Sequence, residues 1–481
     1  MNIINLLSVS IETYGGFGMP YSLNWIGKII QWLIEIAGSI GLGIILFTLA
    51  LKLITLPLDI ISRASMKKNN IKMRNMRPQL EKYQRQYANN KELYNKKIQA
   101  LYKKEGFSMF ASCLPTLVTL VFFIVVINQF STYSNYTNLE MVNNMSLAYT
   151  QAVENYNENT GNNYVYVEKN EDGSIKKNVI STSEKNGKTI EYYSVKAYLN
   201  VNEVFDNAEA FDEYRDNNVV NKIPSETNEY DATFIAVNVN KLAEIVIKYN
   251  EKGFNDVKVG ESGDCQIIKS GDKYVFNADM FEKGLSQDEI NAIVTPKVMN
   301  YAFEQFVNDN VKDVARSASK DAYYEHAPSF LWIKNLWVPD LPFKHPVNSS
   351  LSSYEFSKQL GEYAENEAQF SEVTAYLGDE KKAPNGYFIL VLLSIGSMLL
   401  SQIIMTKSQK DQMELQTVDG QGAQSAKLMM WMMPIMFGIF AFFYSASFSL
   451  YMTVSTLLSM LSTLIINYFV ELSFKKKNNA Q

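Results

Sequence analysis

A single cation stands inside an apolar run near the start of the chain. The stretch from Ile40 to Arg63 reads IGLGIILFTLALKLITLPLDIISR, which is apolar enough to cross a bilayer, and Lys52 lies well inside it. Burying an ammonium in lipid costs at least ~2.5 kcal/mol near the bilayer centre. Either the lysine snorkels to the nearer interface, or it lies in a water-filled pocket of a helix bundle. We expect its stem to be too short to reach the polar end near Asp59 and Ser62, which favours the pocket.

A second polar feature lies in the last apolar segment, where four small polar side chains share one helical face. Thr456, Ser459, Thr463 and Asn467 follow one another at spacings of 3, 4 and 4 residues. Such a stripe usually permits close helix packing in a membrane. If it faces a lysine on another helix, the same stripe lines a wet groove. The sequence leaves both interpretations open.

Catalytic and metal-binding patterns are missing from the sequence. His326 and His345 match no metal-ligand spacing, and the apolar segments contain no nucleophile–base pair, paired aspartates or P-loop. We therefore expect no metal, no small-molecule cofactor and no enzyme activity.

Charge is distributed unevenly along the 481 residues, whose formal net charge is −5. Between Thr132 and Gly386 there are 40 acidic and 24 basic residues, a net charge of −16, whereas the rest of the chain carries +11. This asymmetry indicates that the two parts meet different environments. The basic part is expected near anionic lipid or nucleic acid.

Five apolar segments are predicted to cross a membrane, and the basic residues predict their direction. Thirteen basic residues lie between Arg63 and Lys104, and the tail contains Lys475, Lys476 and Lys477. The positive-inside rule places both regions in the cytoplasm. We therefore predict an α-helical polytopic membrane protein with an external N-terminus and a cytoplasmic C-terminus. It has a five-helix transmembrane core, a cytoplasmic helical hairpin, an N-terminal interfacial helix and a large inserted extracytoplasmic α+β domain.

The predicted divisions follow these changes in hydropathy and charge. They are an N-terminal segment with an amphipathic interfacial helix (1–39), the first span (40–62), the basic cytoplasmic hairpin (63–110), the second span (111–131), the acidic inserted domain (132–327), an extracytoplasmic segment (328–386), the third span (387–406), a cytoplasmic loop (407–427), the fourth span (428–444), the fifth span (449–470) and a basic tail (471–481).

Local patterns within the inserted domain predict individual elements. Asp-Gly and Gly-Asp pairs predict hairpins in residues 165–180 and 265–280. Residues 233–254 are predicted to form a strand that leads into a helix, and residues 285–318 a helix that Pro296 interrupts.

In their order and spacing, several pieces resemble the YidC/Oxa/Alb family of membrane protein insertases. They cover about half of the chain, and each is weak alone. The pieces are Leu42 to Leu58 with Lys52 five residues before Pro57, the basic hairpin ending at Gly106, Cys113-Leu114-Pro115, FLWIKNLWVPDLP at Phe330 to Pro342, and the run from Met432 to Ser459.

This resemblance implies a hydrophilic groove that opens to the cytoplasm and to lipid and is closed toward the outside. The family usually has arginine at the position of Lys52, so lysine keeps the charge but loses the bidentate fork. Thr48 matches another groove position, and Tyr451 and Met452 lie where the family tends to have two tyrosines, so one aromatic side chain is replaced here. The expected groove residues are Lys52, Thr48, Asn128, Gln129, Gln402, Ser455, Thr456, Ser459, Thr463 and Tyr451.

The function that the resemblance implies is that of an insertase and chaperone in a bacterial plasma membrane. It would move short hydrophilic segments of client proteins through the groove and release their hydrophobic helices into lipid. Its partners would be nascent membrane proteins and lipids, with the ribosome and the Sec translocon as further candidates.

Rival interpretations come from other classes of membrane protein. A secondary transporter or channel would use Lys52 as an anion site, but the five segments show no inverted repeat and no matching pair of broken helices. A receptor-like protein that is merely anchored by its spans has no need of an intramembrane lysine.

Overall fold

The computed structural model describes residues 9–17, 23–107, 110–185, 188–214, 237–261, 263–360, 364–408, 432, 435–436 and 438–478. The chain divides into two compact units. The helical unit comprises Tyr21–Asn138, Ala327–Ser349 and Gly378–Gln481. The mixed unit comprises Met1–Pro20, Leu139–His326 and Ser350–Leu377.

Long helices dominate the helical unit. They are α1 (Trp25–Ala37), α2 (Ile40–Gln86), α3 (Lys91–Lys104), α4 (Phe110–Glu154, whose last part belongs to the mixed unit), α12 (Ile389–Ser408) and α13 (Ala446–Asn478). Part of the fourth predicted span, residues 428–431, 433–434 and 437, lies outside the described residues, and residues 438–443 are helical.

Caps at the junction of α1 and α2 define where each helix begins and ends. The Asn24 side chain accepts a 2.8 Å hydrogen bond from the Gly27 amide. Gly38 ends α1 with a φ of 67°, a left-handed conformation that glycine adopts without strain. Ser39 then caps α2 by accepting from the Leu42 amide. The chain thus turns sharply between an amphipathic helix and an apolar one.

Helix α2 is continuous across the predicted boundary between the first span and the cytoplasmic hairpin. It runs for 47 residues and contains both Pro57 and Pro78. A proline removes one N–H donor, and a helix can continue past it where neighbouring groups or water satisfy the freed carbonyl. Lys52, Asp59 and Arg63 therefore project from one uninterrupted helix.

The second half of α2 packs against α3 through a small apolar cluster. Its buried members are Met73, Met76, Leu80 and Leu101. Asn90 caps α3 by accepting a 3.0 Å hydrogen bond from the Leu93 amide. The remaining faces of these two helices carry the basic residues.

Among the described residues, seven strands and several shorter helices form the mixed unit. They are β1 (Ser10–Tyr14), α5 (Tyr156–Thr160), β2 (Val165–Val167), β3 (Lys177–Lys185), β4 (Lys188–Leu199), α6 (Val201–Asn207), α7 (Val239–Asn250), β5 (Val259–Gly260), β6 (Ile267–Ser270), β7 (Lys273–Phe276), α8 (Gln287–Phe306), α9 (Lys312–His326), α10 (Ser357–Leu360) and α11 (Ala364–Val373). Strands β1, β2 and β3 each pair antiparallel with β4, and β5, β6 and β7 form a second sheet.

Two segments outside the predicted inserted domain contribute to the mixed unit. Strand β1 pairs along β4, with Ser10 opposite Tyr198 and Tyr14 opposite Ser194. Residues 350–377 also belong to this unit. No local pattern indicated either association, because both depend on contacts between distant parts of the chain.

The local predictions in the mixed unit fare unevenly. The hairpin in residues 265–280 is observed, since β6 and β7 are antiparallel around Gly271. In residues 165–180 the chain turns at Asp172-Gly173, where a single bridge joins Lys169 and Ile175. The flanking strands β2 and β3 each pair with β4 rather than with each other. The interruption predicted at Pro296 is wrong. Helix α8 runs through it, and the irregular turn is a π-helix at Val307–Val311. The strand predicted before α7 lies almost wholly outside the described residues.

Candidate functional site

Two helices in the described part of the chain are long and apolar enough to cross a membrane. They are Ile40–Gln86 and Ala446–Phe469, and a shorter apolar stretch covers Ile389–Ile404. Large apolar side chains on α2 are exposed, with Leu53 at 62% and Ile54 at 66%. A contiguous apolar surface of this kind needs a partner other than water. Lipid is the partner that fits a helix of this length.

Lys52 lies on the side of α2 that faces α13. Its ammonium donates a 2.6 Å hydrogen bond to the Asp59 carboxylate and a 3.1 Å bond to the Ser459 hydroxyl. The lysine is therefore neither directed at lipid nor unpaired. Its charge is balanced by an anion two turns farther along the same helix.

This ion pair contradicts the expectation that the lysine stem cannot reach the polar end of the segment. The offset of seven residues between Lys52 and Asp59 corresponds to about 10 Å along the helix axis. The Cα–Cβ bond of Asp59 is tilted back toward the N-terminus of α2, which shortens that gap. An extended lysine stem that runs the other way closes the rest.

Arg63 supplies a second cation to the same face of α2. Its guanidinium donates a 2.5 Å hydrogen bond to the Thr463 hydroxyl and a longer one, 3.4 Å, to the Asn467 side chain. Asp59 also attracts this guanidinium electrostatically. Lys52 and Arg63 converge from opposite directions, with Asp59 between them. Two cations and one anion give the cluster a net charge of +1.

Helical periodicity explains why these side chains meet. Asp59 follows Lys52 by seven residues and Arg63 follows Asp59 by four, so all three share one face of α2. On α13 the facing residues recur every four positions: Tyr451, Ser455, Ser459, Thr463 and Asn467. Two hydroxyl groups of this stripe, Ser459 and Thr463, accept hydrogen bonds from the cations without adding charge.

An aromatic layer lies on the N-terminal side of the charge cluster along both helices. Phe47 packs against Phe130 with ring centroids 5.8 Å apart, and Phe130 meets Tyr451 edge to face at 5.7 Å. Tyr133 continues the layer to Trp337 at 5.5 Å. The layer therefore borders the charge cluster toward the N-terminal ends of α2 and α13.

Residues 328–346 brace the N-terminal ends of α12 and α13. The buried Asp340 carboxylate accepts hydrogen bonds from the Tyr387 and Leu390 amides at the start of α12. The amides of Ala446 and Ser447 donate to backbone carbonyls of the same segment, at Val338 and Leu336. The segment that resembles the family motif thus fixes where the polar stripe of α13 begins.

The other predicted groove residues are distributed over four helices, α2, α4, α12 and α13. Thr48 is buried, but its hydroxyl donates to the Ile44 carbonyl of its own helix at 2.7 Å. On α4, Gln129 is buried and Asn128 is exposed. Gln402 on α12 and Thr456 on α13 are partly buried, and the hydrogen bonds of the Lys52 ammonium in the described structure go to Asp59 and Ser459 instead.

Asp59 and Arg63 were absent from the predicted groove residues. Their spacing from Lys52 along one helical face could have revealed them, because 7 and 11 residues each return close to the same direction. The prediction omits them because it treats Asp59 as part of the polar end of the first span, beyond the reach of the Lys52 stem, and assigns Arg63 to the hairpin. No group of acidic, histidine and cysteine side chains in the described residues forms a metal site.

Comparisons with known proteins follow the same regions of the chain. The profile of the 60Kd inner membrane protein family matches residues 32–159 and 312–474. A membrane protein insertase YidC of Fusobacterium nucleatum is 34% identical over 106 residues, covering 21% of this chain and 50% of that protein.

Two further relatives carry the same name. YidC 1 of Streptococcus pyogenes is 42% identical over 95 residues, covering 19% of this chain and 33% of that protein. YidC of Francisella tularensis is 33% identical over 127 residues, covering 26% and 22% respectively. This chain therefore spans half or less of the length of these curated relatives. No solved structure matches it. Since the family profile covers more than half of the sequence, the chain belongs to the 60Kd inner membrane protein family, the YidC/Oxa/Alb family that its motifs resemble.

Proposed function

We propose that the protein is a membrane protein insertase that uses the polar interface between α2 and α13 as its client groove. The observation that carries this proposal is the charge cluster of Lys52, Asp59 and Arg63, which faces hydroxyl groups on helices whose other faces are apolar and exposed. A polar group held among lipid-facing helices is costly and is retained for function.

The chemistry of the cluster fits a short hydrophilic segment of a client. Its net positive charge attracts carboxylates, and the hydroxyl stripe offers hydrogen bonds to a client backbone that has left water. The aromatic layer lies beside the charge cluster, so only part of the interface between α2 and α13 offers polar groups to the client segment. The apolar part of the client then enters lipid, where each Leu or Ile gains roughly 0.3 to 0.6 kcal/mol. No nucleotide hydrolysis is required.

The setting proposed for this activity is a bacterial membrane crossed five times, with the basic hairpin and tail in the cytoplasm. Clients are nascent membrane proteins, and the basic hairpin would contact lipid headgroups or ribosomal RNA. The ribosome and the Sec translocon are proposed as further partners.

Substitutions at Lys52 test the proposal in liposomes that contain the full chain. The client is a single-span protein whose external tail carries acidic or neutral residues, and insertion is measured by protease protection. Lys52→Arg should retain insertion because the cation remains. Lys52→Leu should lower insertion of the acidic client at least about tenfold, which corresponds to 1.4 kcal/mol.

A matched control removes a cation elsewhere. Lys252 in the mixed unit is exposed and paired with Asp309, so Lys252→Leu should leave insertion unchanged. If Lys52→Leu inserts the acidic client as well as the wild type does, the groove is not where clients pass. Flux of small anions without any insertion would instead identify a channel.

A further inference from the structure

The Lys52 ammonium is already occupied by a carboxylate of its own chain. Asp59 contacts it at 2.6 Å, the distance expected of a charge-assisted hydrogen bond. A client carboxylate that binds Lys52 must therefore displace Asp59 or share the cation with it. The resting groove consequently presents less free positive charge than its two basic residues imply.

We propose that Asp59 is a specificity-determining residue, a built-in competitor that sets how acidic a client tail must be to engage Lys52. This inference rests on the proposed insertase function. Clients with several carboxylates displace Asp59 from Lys52. Neutral tails leave the Lys52–Asp59 pair intact, so the lysine adds nothing to their binding.

Asp59 is held in a way that permits exchange. It meets Lys52 through one oxygen, and 37% of its side chain is exposed, against 16% for the lysine. A single contact to a lysine ammonium is a point-charge interaction without the fixed geometry of an arginine fork. Replacing one carboxylate oxygen by another at this site costs little rearrangement.

Arg63 provides a second cation with which the displaced Asp59 carboxylate can pair. The two residues are four positions apart on α2, a spacing at which an acid and a base can pair, and Asp59 already attracts the Arg63 guanidinium. The hydrogen bonds that Arg63 makes in the described structure go to the neutral side chains of Thr463 and Asn467. A rotation of the Asp59 side chain from Lys52 toward Arg63 would keep the carboxylate paired. The client carboxylate then takes the vacated position beside Lys52.

The test compares clients that are identical except for zero, one, two or three acidic residues in the tail. For the wild type, insertion in liposomes should rise with the number of acids. Asp59→Asn should raise insertion of the tail with one acid by about threefold, the size expected for loss of a partly exposed competing pair. Insertion of the neutral tail should not change.

Two control variants accompany this series. Asp59→Glu keeps the competing charge and should retain the wild-type dependence on acids. Glu81→Gln removes an acid from the same helix, one that pairs with Arg77 in the exposed hairpin, and should have no effect.

A second measurement uses the wild type alone and does not depend on the folding of a variant. Dicyclohexylcarbodiimide, which enters membranes, couples a carboxylate to a neighbouring amine as an amide while it takes up the lost water as a urea. Mass spectrometry should find the Lys52–Asp59 amide, and an acidic tail peptide should lower its yield while a neutral peptide should not.

The outcomes separate this inference from the function on which it rests. Folded wild type that inserts no client would refute the proposed function. If the wild type inserts clients but Asp59→Asn shows the same dependence on acids, or inserts every client less well, Asp59 is not a competitor. A yield of the Lys52–Asp59 amide that the acidic peptide does not lower would overturn the inference as well.

Discussion

Each compact unit holds a half-buried ion pair, and the two pairs differ in how firmly the partners are held. In the mixed unit, Arg316 grips Glu372 through two hydrogen bonds of 2.9 and 3.2 Å, and the Tyr149 hydroxyl donates a third at 3.0 Å. In the helical unit, Lys52 meets Asp59 through one bond.

The difference also extends to what each pair joins. Arg316 lies on α9, Glu372 on α11 and Tyr149 on α4, so this carboxylate ties three elements together. Lys52 and Asp59 lie on one helix, and their pairing links no two elements. The arginine pair therefore serves the fold, while the lysine pair is free to exchange its anion.

The largest effect on stability is expected when the arginine pair is broken. Glu372→Gln leaves the guanidinium with its charge uncompensated, and should lower the free energy of unfolding of the mixed unit by about 2 kcal/mol, less than for a fully buried pair. Hydrogen–deuterium exchange of the full chain in detergent measures this as faster exchange throughout the unit. Asp59→Asn should change exchange in the helical unit by less than about 1 kcal/mol. Equal losses of stability for Glu372→Gln and Asp59→Asn would show that the two ion pairs do not differ in how much they stabilise their units.

A smaller effect should follow from removing only the third partner of Glu372. Tyr149→Phe deletes the hydroxyl and keeps the ring, so the carboxylate retains both bonds from Arg316. We expect a loss of about 1 kcal/mol, the usual net value of one hydrogen bond. The same exchange experiment measures it. A loss as large as that of Glu372→Gln would show that the tyrosine, rather than the fork, holds the carboxylate.

The smallest effect is expected when Lys52 loses its neutral partner. Ser459→Ala removes the 3.1 Å acceptor but leaves the ion pair with Asp59 intact. Hydrogen bonds between membrane helices average roughly 0.6 kcal/mol, so exchange in α2 and α13 should hardly change. Insertion of acidic clients should stay within about twofold of the wild type, for the same reason. A large loss would mean that the serine, and not Asp59, positions the ammonium.

Much of the helical unit was predictable because its signals are local. The apolar runs, the amphipathic α1 and the repeat of polar residues along α13 can each be read within one helix. The predicted division at residue 62 between the first span and the hairpin does not interrupt the helix, because α2 continues through Pro57 to Gln86. Asp59 and Arg63 are absent from the predicted groove because the Lys52 stem is expected to fall short of the polar end, although their spacing places them on the same helical face as Lys52.

The mixed unit was harder to predict because its sheet depends on contacts across long stretches of chain. Ser10 lies opposite Tyr198, and nothing near either residue specifies the other. Short strands with few alternating residues pair according to what packs around them, which local propensity does not encode.

Composition and periodicity alone determined which segments are apolar, which loops are basic, and that one cation and one hydroxyl stripe lie inside apolar helices. Which groups meet was decided by the tertiary structure. Lys52 and Ser459 lie 407 residues apart in sequence, and only the packing of α2 against α13 brings them within hydrogen-bonding distance. A lysine has several acceptors within reach of its flexible stem. The choice of Asp59 therefore depends on side-chain direction and on the facing helix, which no linear pattern contains.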